Sequence, residues 1–193
     1  KIKETFPKYT PAKSGDFHRE STRLADRKYH NIVQSSQYKN VILLSGGSAS
    51  GKTEYMSAYL EDRSSIILDG TLPTLEGFEI KRRNALRSNK KVEVQAVLPD
   101  SLERAYIAFL ERERKYKEKH FYRTHSQSRA TLLAIAKKYS DVLMTIIESS
   151  IEKDNSMRFK QFEFSGRKEL IDYLTKIQYS EKEITKLVWH EKD

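Results

Sequence analysis

The chain has 193 residues, of which 37% are hydrophobic and 33% charged, and a formal net charge of +9. This supports one domain around one modest core, and the absence of cysteine excludes disulfides and thiolate metal sites while fitting a reducing, cytoplasmic setting. No run approaches the roughly 18 apolar residues that cross a bilayer, so a soluble protein with no membrane partner is expected.

The elements follow in chain order. Residues 1–16 carry Pro7, Pro11 and Gly15 among polar residues and read as an N-terminal arm. Residues 17–36 read as a helix, with Asp16 as N-cap and Leu24, Ile32 and Val33 as apolar positions. Val41-Ile42-Leu43-Leu44 is a continuous apolar run that ends in Ser45-Gly46-Gly47, the signature of a buried parallel strand entering a tight turn. A helix follows Lys52 to about Asp62, with Met56, Tyr59 and Leu60 inward. Ser65-Ile66-Ile67-Leu68 reads as a second buried strand closed by Asp69-Gly70. Pro73 and Gly77 mark a loop, and residues 79–88 a basic helix. Residues 91–98 form a third strand, stopped by Pro99-Asp100.

A long helix starts near Ser101 and becomes almost wholly charged over 111–119. A further helix is expected from Ser126 or Ser128 to about Ser149, then a last strand over 157–164. Two helices end the chain, at 167–177 and 180–189. The second opens with Ser180 and Glu183 spaced as a capping box. The pattern implies an α/β fold, a mostly parallel sheet with helices on both faces. It makes 1–193 a single domain, with 1–16 as the N-terminal arm and 165–193 as a C-terminal helical extension.

Gly46-Gly47-Ser48-Ala49-Ser50-Gly51-Lys52-Thr53 matches G-x-x-x-x-G-K-[ST] at every fixed position. Glycines let the backbone turn its N–H groups inward onto phosphate oxygens, and the helix that follows adds its positive end. Lys52 then reaches the β- and γ-phosphates of ATP (or GTP), and the Thr53 hydroxyl is a ligand for Mg²⁺. Asp69, after its apolar strand, is the expected second Mg²⁺ ligand. Arg112, Arg114, Arg123 and Arg129 form an arginine-bearing segment suited to close over a transferring phosphate. His120 and His125 flank it as surface or loop histidines, without metal-ligand spacing. Tyr106, Tyr116, Phe121 and Tyr122 read as packing residues.

These features resemble the zeta-toxin family of P-loop kinases over roughly residues 38–150. The likeness rests on the 46–53 cradle, on Asp69-Gly70-Thr71 where that family commonly has Glu-Gly-Thr, and on Val94-Gln95-Ala96-Val97-Leu98-Pro99 before a long helix. It implies an ATP-dependent kinase that phosphorylates a nucleotide sugar or similar small molecule. Arg112 and Arg123 would be the phosphate-contacting arginines, and an antitoxin-like protein would be a partner. One strand of the family, which ends in the aspartate that deprotonates the acceptor hydroxyl, has no room between Thr53 and Ile66. Either Asp69 sits on that strand or it sits on the Glu-Gly-Thr strand and the usual base is absent; the spacing to Pro99 favours the second. The net positive charge also admits a polynucleotide kinase or another enzyme acting on nucleic acid. A nucleotide-binding module with little turnover is the third reading.

Overall fold

A computed structural model describes residues 2–61, 64–152 and 156–189. Two short 3-10 turns, Ile2–Thr5 and Pro11–Lys13, precede α1 (His18–Val33), β1 (Asn40–Ser45), α2 (Lys52–Tyr59) and β2 (Ser65–Leu68). Then come α3 (Leu75–Arg87), β3 (Lys91–Pro99), α4 (Leu102–Glu111), α5 (Glu118–Lys138) and β4 (Leu143–Ile151). The remaining elements are β5 (Met157–Phe162), α6 (Arg167–Lys176) and α7 (Glu181–Trp189).

The strands form one sheet in the order β2-β1-β3-β4-β5, parallel except for β5, which runs antiparallel to β4. Successive side chains alternate between its faces. Val41, Leu43, Val94, Ala96, Met144 and Ile146 pack with residues of α1, α3, α5 and α6 on one face. Ile42, Leu44, Val97 and Ile147 pack with Tyr55 and Leu60 on the other. A separate cluster joins Tyr106 and Phe109 of α4, Phe121 and Tyr122 of α5, and Ile184 and Val188 of α7. The fold is therefore α/β of P-loop type, with helices on both faces. The chain steps from β1 to β2 on one side and then to β3 on the other. That reversal opens a crevice beyond the carboxyl ends of β1 and β3, where open α/β sheets hold their ligands.

Four expectations change. The segment read as one helix from 126 to 149 is the end of α5, a turn at Ser140-Asp141, and β4. An apolar run as short as Val142–Ile147 does not by itself distinguish a buried strand from a buried helix, and pairing with β3 decides it here. Helix α3 begins four residues early because Thr74 caps it, its hydroxyl accepting from Gly77 N at 3.1 Å. Helix α1 starts after Phe17 with no side-chain cap from Asp16, and Tyr59 of α2 is exposed rather than inward. The arm at 2–16 is docked, with Lys115 N donating to Pro11 O at 3.0 Å and Lys3 Nζ to Ser14 O at 2.8 Å. By contrast, the Ser180/Glu183 capping box forms both of its bonds, at 2.7 and 3.2 Å. No described helix is long and apolar enough to cross a membrane.

Candidate nucleotide-binding site

The 46–53 loop leaves β1 and enters α2 through left-handed backbone at Ala49 (φ 58°) and Gly51 (φ 76°), after Gly46 at φ 136°. Close approach also dictates two glycines. A Cβ on Gly46 would lie 2.2 Å from Val97 O, and one on Gly47 would lie 2.3 Å from the His125 ring.

The loop is held from several elements. Ser48 N donates to Thr124 Oγ1 at 3.1 Å, and Ser48 O accepts from His125 Nε2 at 2.9 Å. Ser50 O accepts from the Ser149 hydroxyl at 3.0 Å. Lys52 Nζ lies against Gly46 O (2.9 Å), Gly47 O (2.6 Å) and Ser50 Oγ (3.2 Å). The carbonyls of residues 46, 47, 48 and 50 thus have protein donors, while the first amides of α2 lack intrahelical partners, as at any helix start. That is the polarity an anion requires.

Burial lowers the pKa of Lys52 to about 8, with Asp69 opposing the shift and Arg112 reinforcing it. Asp69 is exposed, one residue past β2, whose Leu68 pairs with Leu43 of β1. The Ser45 hydroxyl donates to Thr71 O at 3.3 Å, tying the Asp69-Gly70-Thr71 turn to the start of the loop.

Arg112 ends α4. Its guanidinium lies 4.3 Å from the centre of the Phe109 ring and 5.0 Å from that of Tyr116, and its Nε donates to Arg114 O at 3.0 Å. One terminal nitrogen is buried with no hydrogen-bond partner among the described residues. Arg123 is exposed on α5 and acts electrostatically on His18 and His120, which the N-terminal segment and α5 bring into ring contact at 5.2 Å. Burial and these neighbouring cations push His120 down to about 3. Lys3 is lowered to about 8 by burial and by Arg114 and Arg112. Asp69 and Arg112 thus both act electrostatically on Lys52, Arg112 acts also on Lys3 and, with Arg123, on His120, and Arg123 acts on His18.

Thr53 stands on the first turn of α2 and Asp69 beyond the neighbouring strand. One hydroxyl and one accessible carboxylate suit Mg²⁺, which keeps several waters and takes its other ligands from phosphate. No cluster of three or more His or acidic side chains fit for a metal occurs among the described residues.

His125 is a correction. It is fully buried on α5 against the loop, not a surface or loop residue. Arg129 is buried behind it, and Thr124 and Ser149 are further loop contacts that no sequence motif singles out. A signal existed: Phe121, His125, Ser128, Leu132 and Ile135 fall at helical spacing on one buried face. Starting the helix at 126 hides it. Tyr106, Phe121 and Tyr122 pack in the α4–α5–α7 cluster as expected, with Tyr116 against it.

No family model and no curated protein matches the sequence. Among solved structures, a chain of the AvrRxo1-ORF1:AvrRxo1-ORF2 complex with sulphate ions is similar over 86% of this chain and 76% of its own, at 14% identity and a TM-score of 0.51. A chain from the PezAT chromosomal toxin-antitoxin system of Streptococcus pneumoniae is similar over 95% of this chain and 96% of its own, at 14% identity and a TM-score of 0.43. At such identities the first likeness speaks to the fold alone, and the second adds no weight.

Proposed function

We propose that the chain is an ATP-dependent phosphotransferase that moves the γ-phosphoryl group to a hydroxyl of a nucleotide sugar or similar small molecule. One observation carries this reading: a loop with its carbonyls engaged by protein donors holds a lysine on which Arg112 acts electrostatically, and a buried terminal nitrogen of that arginine lacks a partner among the described residues. A nucleotide store needs only the loop. An arginine beside the γ-phosphate position has a use when charge builds up during transfer.

In this reading the loop amides and the α2 N-terminus hold the β-phosphate, and Lys52 moves from the loop carbonyls to the β- and γ-oxygens. Arg112 donates to the equatorial oxygens of the transferring group. The acceptor oxygen bonds to γ-phosphorus and gives up its proton to solvent water as the bond from phosphorus to the β,γ-bridging oxygen breaks, leaving ADP, a phosphorylated acceptor and a released proton. Thr53 and Asp69 would hold Mg²⁺, which supplies charge neutralisation on the phosphates. Asp69 is thereby assigned to the metal, and Arg123 to the approach of the acceptor beyond Arg112. GTP is the alternative donor. The similar chain was solved in an AvrRxo1-ORF1:AvrRxo1-ORF2 complex, so a protein partner, antitoxin-like in kind, is part of the proposal.

The test is incubation with γ-labelled ATP and a panel of nucleotide sugars, nucleosides and oligonucleotides. Label on a nucleotide sugar, lost in Lys52→Ala, is the expected result. ATP binding without ADP formation on any acceptor would overturn transfer in favour of a nucleotide-binding module.

A further inference from the structure

The tip of the loop is braced by a buried polar chain that phosphate chemistry does not itself require. His125 is fully buried and makes two ring hydrogen bonds, to Ser48 O at 2.9 Å and to a terminal guanidinium nitrogen of Arg129 at 3.0 Å. A carbonyl can only accept and a guanidinium can only donate. The ring is therefore neutral, with its proton on Nε2 and a lone pair on Nδ1. The same Arg129 nitrogen also reaches His125 O at 3.3 Å, and Gln178 Nε2, just beyond α6, donates to Arg129 O at 3.1 Å. The chain runs from the C-terminal helices through α5 to the loop.

The point of attachment is informative. Ala49, directly after Ser48, holds left-handed backbone at φ 58° without being glycine. Such a residue persists only where its surroundings over-determine it. Here Thr124 fixes the N–H of Ser48, His125 fixes its C=O, and the His125 ring fills the space beside Gly47. With the Ser48 carbonyl free to rotate inward, a negative dipole would face the phosphates.

We propose that His125 is a positioning residue of the phosphate cradle, a neutral imidazole oriented by Arg129 that keeps the Ser48 carbonyl turned away from the bound nucleotide. This rests on the nucleotide-binding reading of the 46–53 loop. His125 supplies the hydrogen bond, and Arg129 sets the tautomer.

The test compares His125→Gln, His125→Phe, Arg129→Met and His125→Gln/Arg129→Met, each checked for folding by its thermal midpoint. The glutamine amide can donate to Ser48 O from nearly the place of Nε2, whereas phenylalanine fills the space without donating. ATP affinity should fall about 10-fold or more in His125→Phe, the cost of an unpaired buried carbonyl. It should be restored to within about 3-fold in His125→Gln. Arg129→Met should weaken binding in the parent but add little in the glutamine background, because the amide has no tautomer to set.

Nitrogen-detected NMR of the His125 ring in the nucleotide-free protein should show protonated Nε2 and unprotonated Nδ1. In Arg129→Met the Ser48 and Ala49 amide resonances should shift. Glutamine as weak as phenylalanine, additive Arg129 and His125 effects, or the opposite tautomer would each overturn the proposal. A parent that binds no ATP would instead overturn the nucleotide reading, and the NMR arm would still decide the clamp. If His125→Phe does not fold, the glutamine and methionine variants carry the decision.

Discussion

The tip of the phosphate loop and the α4–α5 connection both present groups suited to phosphate, but the chain holds them in opposite ways. At the tip, each polar group of Ser48 has a buried partner on α5, and Ser50 is tied to β4. Along the connection, basic groups crowd one another: Lys3, His18, His120 and Arg112 all have lowered pKa values, burial being the largest cause in each. The N-terminal segment sets against this a loose ion pair, Glu4 to Arg114 at 3.6 Å. Phosphate oxygens touching a preformed cradle need donors already in place. A group that stabilises charge during transfer needs charge available, even at a cost to the folded state.

The largest effect that could break this contrast lies at Gly47. A Cβ there would overlap a ring that is itself bonded on both sides, with no room to yield. Gly47→Ala should cost about 3 kcal/mol and lower Tm by roughly 10 °C. A change within about 2 °C would mean that the loop tip is pliable.

Next come the two arginines. Arg112→Ala should lower the transfer rate about 100-fold, as for loss of one group that stabilises developing charge. Arg123→Ala, which removes an exposed side chain, should lower it less than about 10-fold and raise KM for the acceptor. Equal effects in single-turnover kinetics would dissolve the distinction drawn between these residues.

The smallest effect is the response to acid. The folded-state pKa values of His18, His120 (about 3) and His125 lie below the unfolded value of about 6.5. The unfolded chain then binds protons first. The stability these histidines contribute is complete above about pH 6.5 and is lost as the pH falls toward each folded value. Besides burial, the groups acting on them are Lys3 and Arg123 on His18, those two with His18 and Arg112 on His120, and Arg129 and Lys52 on His125, whose hydrogen bond to Ser48 O opposes the shift. Urea midpoints should drop between pH 7.5 and 5, and drop less in His120→Gln. An unchanged slope would remove His120 from the connection's burden.

The same contrast governs what could be read without a structure. The donor cradle was legible because its chemistry demands fixed residue types at fixed spacing, with a buried strand before it and a helix after it. The three strands β1, β2 and β3 were legible as β-branched apolar runs closed by turn residues. Strand β4 was not, since its run followed a helix with only Ser140-Asp141 between them. The bracing residues were hidden for a different reason. Thr124 and His125 lie more than 70 positions from Ser48, and nothing local in the sequence announces such a pairing. The docking of Lys3 against Tyr116 is long-range in the same way.

The central claim is that this loop binds a nucleoside triphosphate through its phosphates for transfer. Calorimetric titration of the parent and Lys52→Ala with ATP and AMP, in the presence of Mg²⁺, tests it most directly. The parent should bind ATP but scarcely bind AMP, and Lys52→Ala, still folded, should lose ATP affinity by about 10-fold or more. Equal affinity for ATP in the two proteins would contradict the claim.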